Sequence, residues 1–99
     1  MAASPRLVGL GPKWFKTMFY VYIIKSREKG RLYKGFTSNL RRRIKEHNNR
    51  EETSTKSGAP WDLVYYEAFI NKTDALREEK FLKSGKGKER IKYLLENTT

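Results

Sequence analysis

The hydrophobic pattern of the chain changes period several times, and each change marks a predicted element. Residues 19–24 are an unbroken aromatic and β-branched run, Phe-Tyr-Val-Tyr-Ile-Ile, followed by turn material ending in Gly30 and a second short run at 31–36. Two such runs about a polar, glycine-ended turn read as a β-hairpin. A period of 2 places Tyr20, Tyr22 and Ile24 on one face and Val21 and Ile23 on the other. Thr37 or Ser38 can then cap a helix reaching His47, with Leu40 and Ile44 at i and i+4. Residues 48–60 are polar and form a long connection for so small a chain, and such connections are commonly functional or mobile. Strand composition returns at 61–70, and Thr73 or Asp74 can cap a second helix that runs to Lys83. Ser84 to Gly87 break it, and Ile91, Leu94 and Leu95, at i, i+3 and i+4, mark a terminal helix. The predicted order is β-β-α-β-α-α, a small α+β domain with a three-stranded antiparallel sheet flanked by helices.

Residues 1–17 show neither period and carry Pro5 and Pro12. They read as a flexible N-terminal extension to a single domain at 18–99. Their lack of acid is a feature of transit peptides, but the stretch is short and has a single arginine. Met18, just ahead of the first strand, offers an alternative start.

Composition narrows the chemistry. Ninety-nine residues make one domain at most, and 37% apolar residues suffice for a core of that size. A six-residue apolar run falls far short of the roughly 20 residues a membrane span needs. A soluble, cytoplasmic protein is expected, nucleoid-associated if DNA is its partner. The absence of cysteine and the single histidine exclude a disulfide framework and a thiolate or histidine-built zinc site. Any metal would be a hard, oxygen-liking ion such as Mg²⁺. The net charge of +11 favours polyanions, nucleic acid before anionic membrane. That excess is concentrated in residues 18–58, where Lys34, Arg41, Arg42, Arg43 and Lys45 lie close together.

Ionisable residues also stand where core residues belong. At about 100° per residue from Leu40, His47 falls on the apolar stripe and Arg43 borders it, while Arg41, Arg42 and Lys45 face outward. His47 can be a satisfied core histidine or, with Arg43 one turn away, part of a site. In the second helix Glu79 sits amid the arc of Ala75, Leu76 and Leu82, with Glu78 nearer its edge. A carboxylate there is costly unless it is salt-bridged or binds a cation, and both options stay open. Tyr22 and Tyr33 can approach across the hairpin, as packing residues or as chemistry.

Taken in this order, the residues resemble the GIY-YIG nuclease superfamily, and within it the small proteins made of the nuclease core alone. Tyr20-Val21-Tyr22 resembles the first motif and Tyr33-Lys34-Gly35 the second. Leu40, Arg43 and His47 resemble the helix that follows, and the stretch from Asp74 to Lys80 resembles the context of the family's metal-binding glutamate, which aligns with Glu79. Ser54-Thr55-Lys56 and the run from Pro60 to Glu67 resemble the single-domain subgroup. The resemblance covers about residues 19–92 and implies an endonuclease that hydrolyses DNA phosphodiesters with one Mg²⁺ or Mn²⁺ at Glu79. It assigns catalytic roles to Tyr22, Tyr33, Arg43, His47 and Glu79. Arg43 would stabilise phosphoryl charge, and Tyr22 would orient or deprotonate water with Tyr33 supporting it and His47 as its rival. Lys34, Arg41, Arg42 and Lys45 would contact phosphates. So small a chain predicts little sequence preference, with DNA a better partner than RNA. A non-catalytic or weakly catalytic nucleic-acid-binding module acting with a partner, and a purely structural basic protein, are the competing readings.

Overall fold

A computed structural model describes residues 18–98. The expected extension at 1–17 lies outside the described residues. Strands β1 (Phe19–Ser26), β2 (Leu32–Thr37) and β3 (Trp61–Phe69) form an antiparallel sheet in the order β2-β1-β3. Helix α1 (Leu40–Asn48) follows the hairpin, and α2 (Lys72–Leu82) and α3 (Gly85–Leu94) follow β3. The order β-β-α-β-α-α is the predicted one.

Period-2 alternation in β1 divides the core as expected. Val21 and Ile23, wholly buried, pack with Ala75 and Leu82 of α2 and Ile91 of α3. Tyr22 and Ile24 pack on the other face with Trp61, Tyr33, and Leu40 and Ile44 of α1. Each fully buried aliphatic side chain contributes about 1.5–3 kcal/mol, so the central strand anchors two thin cores back to back. A bulge interrupts the β1–β3 ladder, where Ile23 faces Tyr65 but Ile24 faces Leu63, leaving Val64 as the extra residue. It places Leu63 and Tyr66, three positions apart, on the same face.

The helix caps differ from those expected. Asn39 caps α1, its Oδ1 accepting from the Arg42 N–H, while Thr37 Oγ1 accepts from the Asn39 N–H one step earlier. Asn71 caps α2 by accepting from the N–H groups of Thr73 and Asp74, both of which lie inside the helix. Asparagine satisfies these orphan donors as well as serine or aspartate does. The break between the last two helices is a sharp corner: Ser84 Oγ caps α3 through the Gly87 N–H, and both glycines belong to α3. A Cβ on Gly87 would collide with the Phe81 carbonyl, so the corner depends on that close approach.

The long connection before β3 is tied down. It contains a 3₁₀ turn at Lys56–Gly58; Ser26 Oγ donates to the Gly58 carbonyl at 2.6 Å and Trp61 Nε1 to the Thr55 carbonyl at 2.9 Å. The Asn48 side chain brackets the Trp61 backbone, accepting from its N–H at 2.6 Å and donating to its carbonyl at 3.1 Å. The connection thereby becomes a wall against the end of α1.

Candidate active site

The hairpin register sets the two tyrosines. Tyr22 faces Gly35 across the ladder and Ile24 faces Tyr33, so Tyr22 and Tyr33 are diagonal neighbours on the α1 face. A Cβ at position 35 would overlap the Tyr22 hydroxyl, so the phenol tip occupies the space that glycine leaves.

Helix α1 brings His47 to this phenol, with Tyr22 Oη 2.7 Å from His47 Nε2. The other ring nitrogen, Nδ1, lies 2.7 Å from Thr55 Oγ1, and Thr55 Oγ1 lies 3.4 Å from the Glu52 carbonyl. Tyr22, His47 and Thr55 are all 0% exposed. Burial pulls the His47 pKa below its ordinary value, and the Arg43 charge pulls in the same direction. A neutral imidazole satisfies every group in one order: Tyr22 O–H donates to Nε2, Nδ1–H donates to Thr55, and the Thr55 hydroxyl donates to Glu52. Burial pushes the Tyr22 phenol up to about 12, with Arg43 opposing.

One prediction follows from this burial. His47 is the only histidine, so its ring proton signal reports one site. Its folded pKa is lowered, so its contribution to stability is present above the ordinary value of 6.5 and is lost as pH falls through the lower folded value. An NMR titration is expected to give a midpoint below 6.5, and a midpoint at or above it would contradict the buried neutral ring.

Arg43 borders the same cluster. Its Nη1 donates to Glu46 at 2.8 Å and its Nη2 to Glu52 at 2.7 Å, and its side chain is 28% exposed. The Glu46 carboxylate, joined by Glu52, holds the guanidinium firmly protonated. Two of its five N–H donors are engaged by these carboxylates, and the guanidinium also acts on the Tyr22 phenol beside it. Tyr33 completes the group, its ring edge-on to His47 at 5.2 Å and to Trp61 at 6.4 Å.

Four of the five expected catalytic residues therefore gather on one face, with a change in the tyrosines' standing. Tyr22 is wholly covered and committed to His47, whereas Tyr33 is partly exposed. Of the two side chains, Tyr33 is thus the one that reaches the surface. His47 is equally covered, so it meets Tyr22 rather than bulk water.

Glu79 stands apart from the four. It lies on α2, whose Ala75 and Leu82 pack on the Val21–Ile23 side of the sheet. Its Oε2 accepts from Lys83 Nζ at 3.0 Å and the side chain is 21% exposed, so the salt bridge is the option realised. Its neighbour Glu78 turns toward Arg90 and Glu67, and burial followed by Glu67 pushes its carboxyl up to about 7. No group of three or more His, Cys, Asp or Glu that could hold a metal occurs among the described residues. A lone carboxylate suits a hard cation that keeps most of its waters and leans on substrate phosphates, and Glu79, held by a single half-exposed lysine, is such a donor.

The expected phosphate contacts are dispersed. Arg41 and Lys45 line one groove beside α1, whereas Arg42 lies 3.7 Å from Glu46. Lys34 points to the other face, where burial and then Lys88 and Lys83 depress its pKa. Lys83 and Lys88 lie outside residues 18–58, where the positive excess is concentrated, so charge distribution along the sequence does not point to them. Glu52 has no signal in the sequence because the polar connection has no period, and the resemblance at Ser54-Thr55-Lys56 marks Thr55 without giving it a role.

Comparison with known proteins gives the family of the chain. The GIY-YIG catalytic domain family matches residues 18–93. A UPF0213 protein of Pediococcus acidilactici is 38% identical over 82 residues, covering 80% of this chain and 83% of the relative. A UPF0213 protein of Clostridium perfringens is 45% identical over 67 residues, covering 67% and 71%. The solution NMR structure of a UPF0213 protein from Bacillus halodurans is 33% identical, with a TM-score of 0.51 over 82% of this chain and 88% of that one. With a family match over residues 18–93, relatives of nearly the same extent and the three-stranded sheet they share, the chain belongs to the GIY-YIG family, among its small UPF0213 proteins.

Proposed function

We propose that this chain is a divalent-metal-dependent endonuclease that hydrolyses phosphodiester bonds in DNA with little intrinsic sequence preference. The observation that carries the reading is the buried Tyr22–His47 hydrogen bond with Arg43 held beside it by two carboxylates. Nucleic acid as the substrate class accords with membership of the family.

Each residue then has a part. Arg43, permanently charged and partly exposed, stabilises charge growing on the phosphoryl oxygens. Tyr33 orients the attacking water, and the covered Tyr22–His47 pair fixes the surface against which Tyr33 packs. Glu79 would hold Mg²⁺ or Mn²⁺, whose contribution is to neutralise charge at the scissile phosphate and the departing 3′ oxygen. Tyr33 and Lys34, adjacent on edge strand β2, face opposite sides of the sheet, and α2 packs against β2 as well as β1. The scissile phosphate would therefore have to sit at that edge to meet both the α1 cluster and an ion at the α2 carboxylate. Arg41, Arg42, Lys45 and Lys34 contact phosphates, which carry no sequence information.

A second reading is favoured by one observation. Arg43 and Glu79 both already have internal ion-pair partners, as expected of a binding module that relies on another protein for activity. Glu79→Gln separates the two. Under the nuclease reading it lowers cleavage of labelled DNA in Mg²⁺ or Mn²⁺ by at least about a hundredfold and leaves binding without metal unchanged. Equal cleavage by the variant and the wild type would remove Glu79 from the site.

A further inference from the structure

Beside the Tyr22 cluster, on the same face of the sheet, lies a groove of about 590 Å³ between β1, β3 and the start of α1. Its floor is apolar and aromatic: Tyr20 and Tyr66 meet edge-to-face at 6.1 Å, with Leu63 and Ile44 beside them. Tyr66 is 53% exposed and Leu63 39%, so this surface has no cover within the described chain. The β3 bulge creates it by turning both residues to one face. At the rim stand Arg41 and Lys45, neither of which has an acidic partner among the described residues.

We infer that this groove is a stacking subsite for an unpaired DNA nucleotide next to the scissile phosphate, with the base on Tyr20 and Tyr66 and its phosphate at Arg41 and Lys45. This rests on the nuclease reading and adds a preference for unwound DNA. Aromatic platforms with flanking cations take any base, because every base presents a π-face and a charged backbone. Bases in an intact duplex are covered above and below by their neighbours and cannot enter. Charge complementarity argues for a polyanion over an apolar partner, since the only charged residues lining the groove among those described, Arg41 and Lys45, are both basic. Position ties the groove to the chemistry: Tyr66 is the cross-strand partner of Tyr22, and Tyr20 lies two residues from it, about 7 Å along the strand.

The test is fluorescence anisotropy without metal, using a labelled 12-nucleotide single strand and a hairpin duplex of the same sequence. Wild type is expected to prefer the single strand. Tyr66→Ala should weaken single-strand binding about tenfold and duplex binding by less than about twofold, and Tyr66→Trp should restore it. Because Tyr66 is half exposed, unchanged thermal melting confirms folded variants. A 2-aminopurine in the single strand should be quenched by wild type and by Tyr66→Trp but not by Tyr66→Ala. If wild type binds DNA and Tyr66→Ala leaves the single-strand to duplex ratio unchanged, the subsite is overturned and the nuclease reading stands. If wild type binds neither DNA, both fall. If Tyr66→Ala instead lowers the sedimenting mass with DNA binding unchanged, the groove is an interface between copies and the subsite is overturned.

Discussion

Replacing Arg43 by alanine is expected to lower metal-dependent cleavage by at least about a hundredfold while DNA affinity changes less than about threefold. The asymmetry follows from geometry. Glu46 and Glu52 fix the guanidinium at 2.8 and 2.7 Å, so it is already oriented and costs no reorganisation when charge develops on a phosphate. It is one cation among 22 basic residues, so general attraction to DNA scarcely depends on it. The variant leaves Glu52 without its guanidinium and Glu46 with only the longer contact to Arg42, and a loss of about 1–2 kcal/mol would lower Tm by roughly 5–15 °C. Arg43→Lys separates the two effects: it keeps the charge but not the fork, and should recover stability more than cleavage. Removing Arg43 also takes away one of the influences that depress the His47 pKa, so the histidine midpoint should move up in Arg43→Ala. Cleavage by Arg43→Ala at the wild-type rate would contradict the role assigned to it.

Gly35→Ala is expected to be nearly as damaging from a residue with no functional group. The added methyl overlaps the Tyr22 phenol, which is wholly buried and held at its tip by His47. Relief requires the ring to move, and movement breaks the 2.7 Å bond to His47. Overpacking of this kind costs about 1–3 kcal/mol, a Tm fall of roughly 5–20 °C for a domain of this size. Tyr33 packs against the same histidine, so cleavage should fall with Tm, and the His47 titration should lose its depressed midpoint as water enters. Melting curves, NMR titration and cleavage rates on one preparation check all three. A Gly35→Ala protein with wild-type melting and the original histidine midpoint would show that the phenol does not occupy the glycine's space.

Much of the fold was legible because its signals are local. The run at 19–24 carries its own period, and the division of Tyr22 and Ile24 from Val21 and Ile23 follows from strand geometry alone. The place of His47 on the apolar stripe and of Arg43 at its border could be read from helical spacing, and both hold. Pairwise facts between distant segments were not legible. Nothing local marks Asn39 and Asn71 as the caps in preference to the neighbouring threonines, serine and aspartate, because all these side chains can accept the same bonds. The bulge at Val64 depends on register between strands, so the shared face of Leu63 and Tyr66 stayed hidden, and the groove with it. Thr55 acquires its part only when the polar connection folds back on α1. The helical wheel found Glu79 facing inward but could not say which side of the sheet α2 would cover.

The most direct test of the central claim is a cleavage time course of purified wild-type protein on end-labelled branched, nicked, single-stranded and duplex DNA, with Mn²⁺ or Mg²⁺ and with chelator. The account predicts metal-dependent products on at least one substrate, most readily where unpaired DNA is present. Tight binding to these DNAs with no cleavage of any of them in either metal would contradict it.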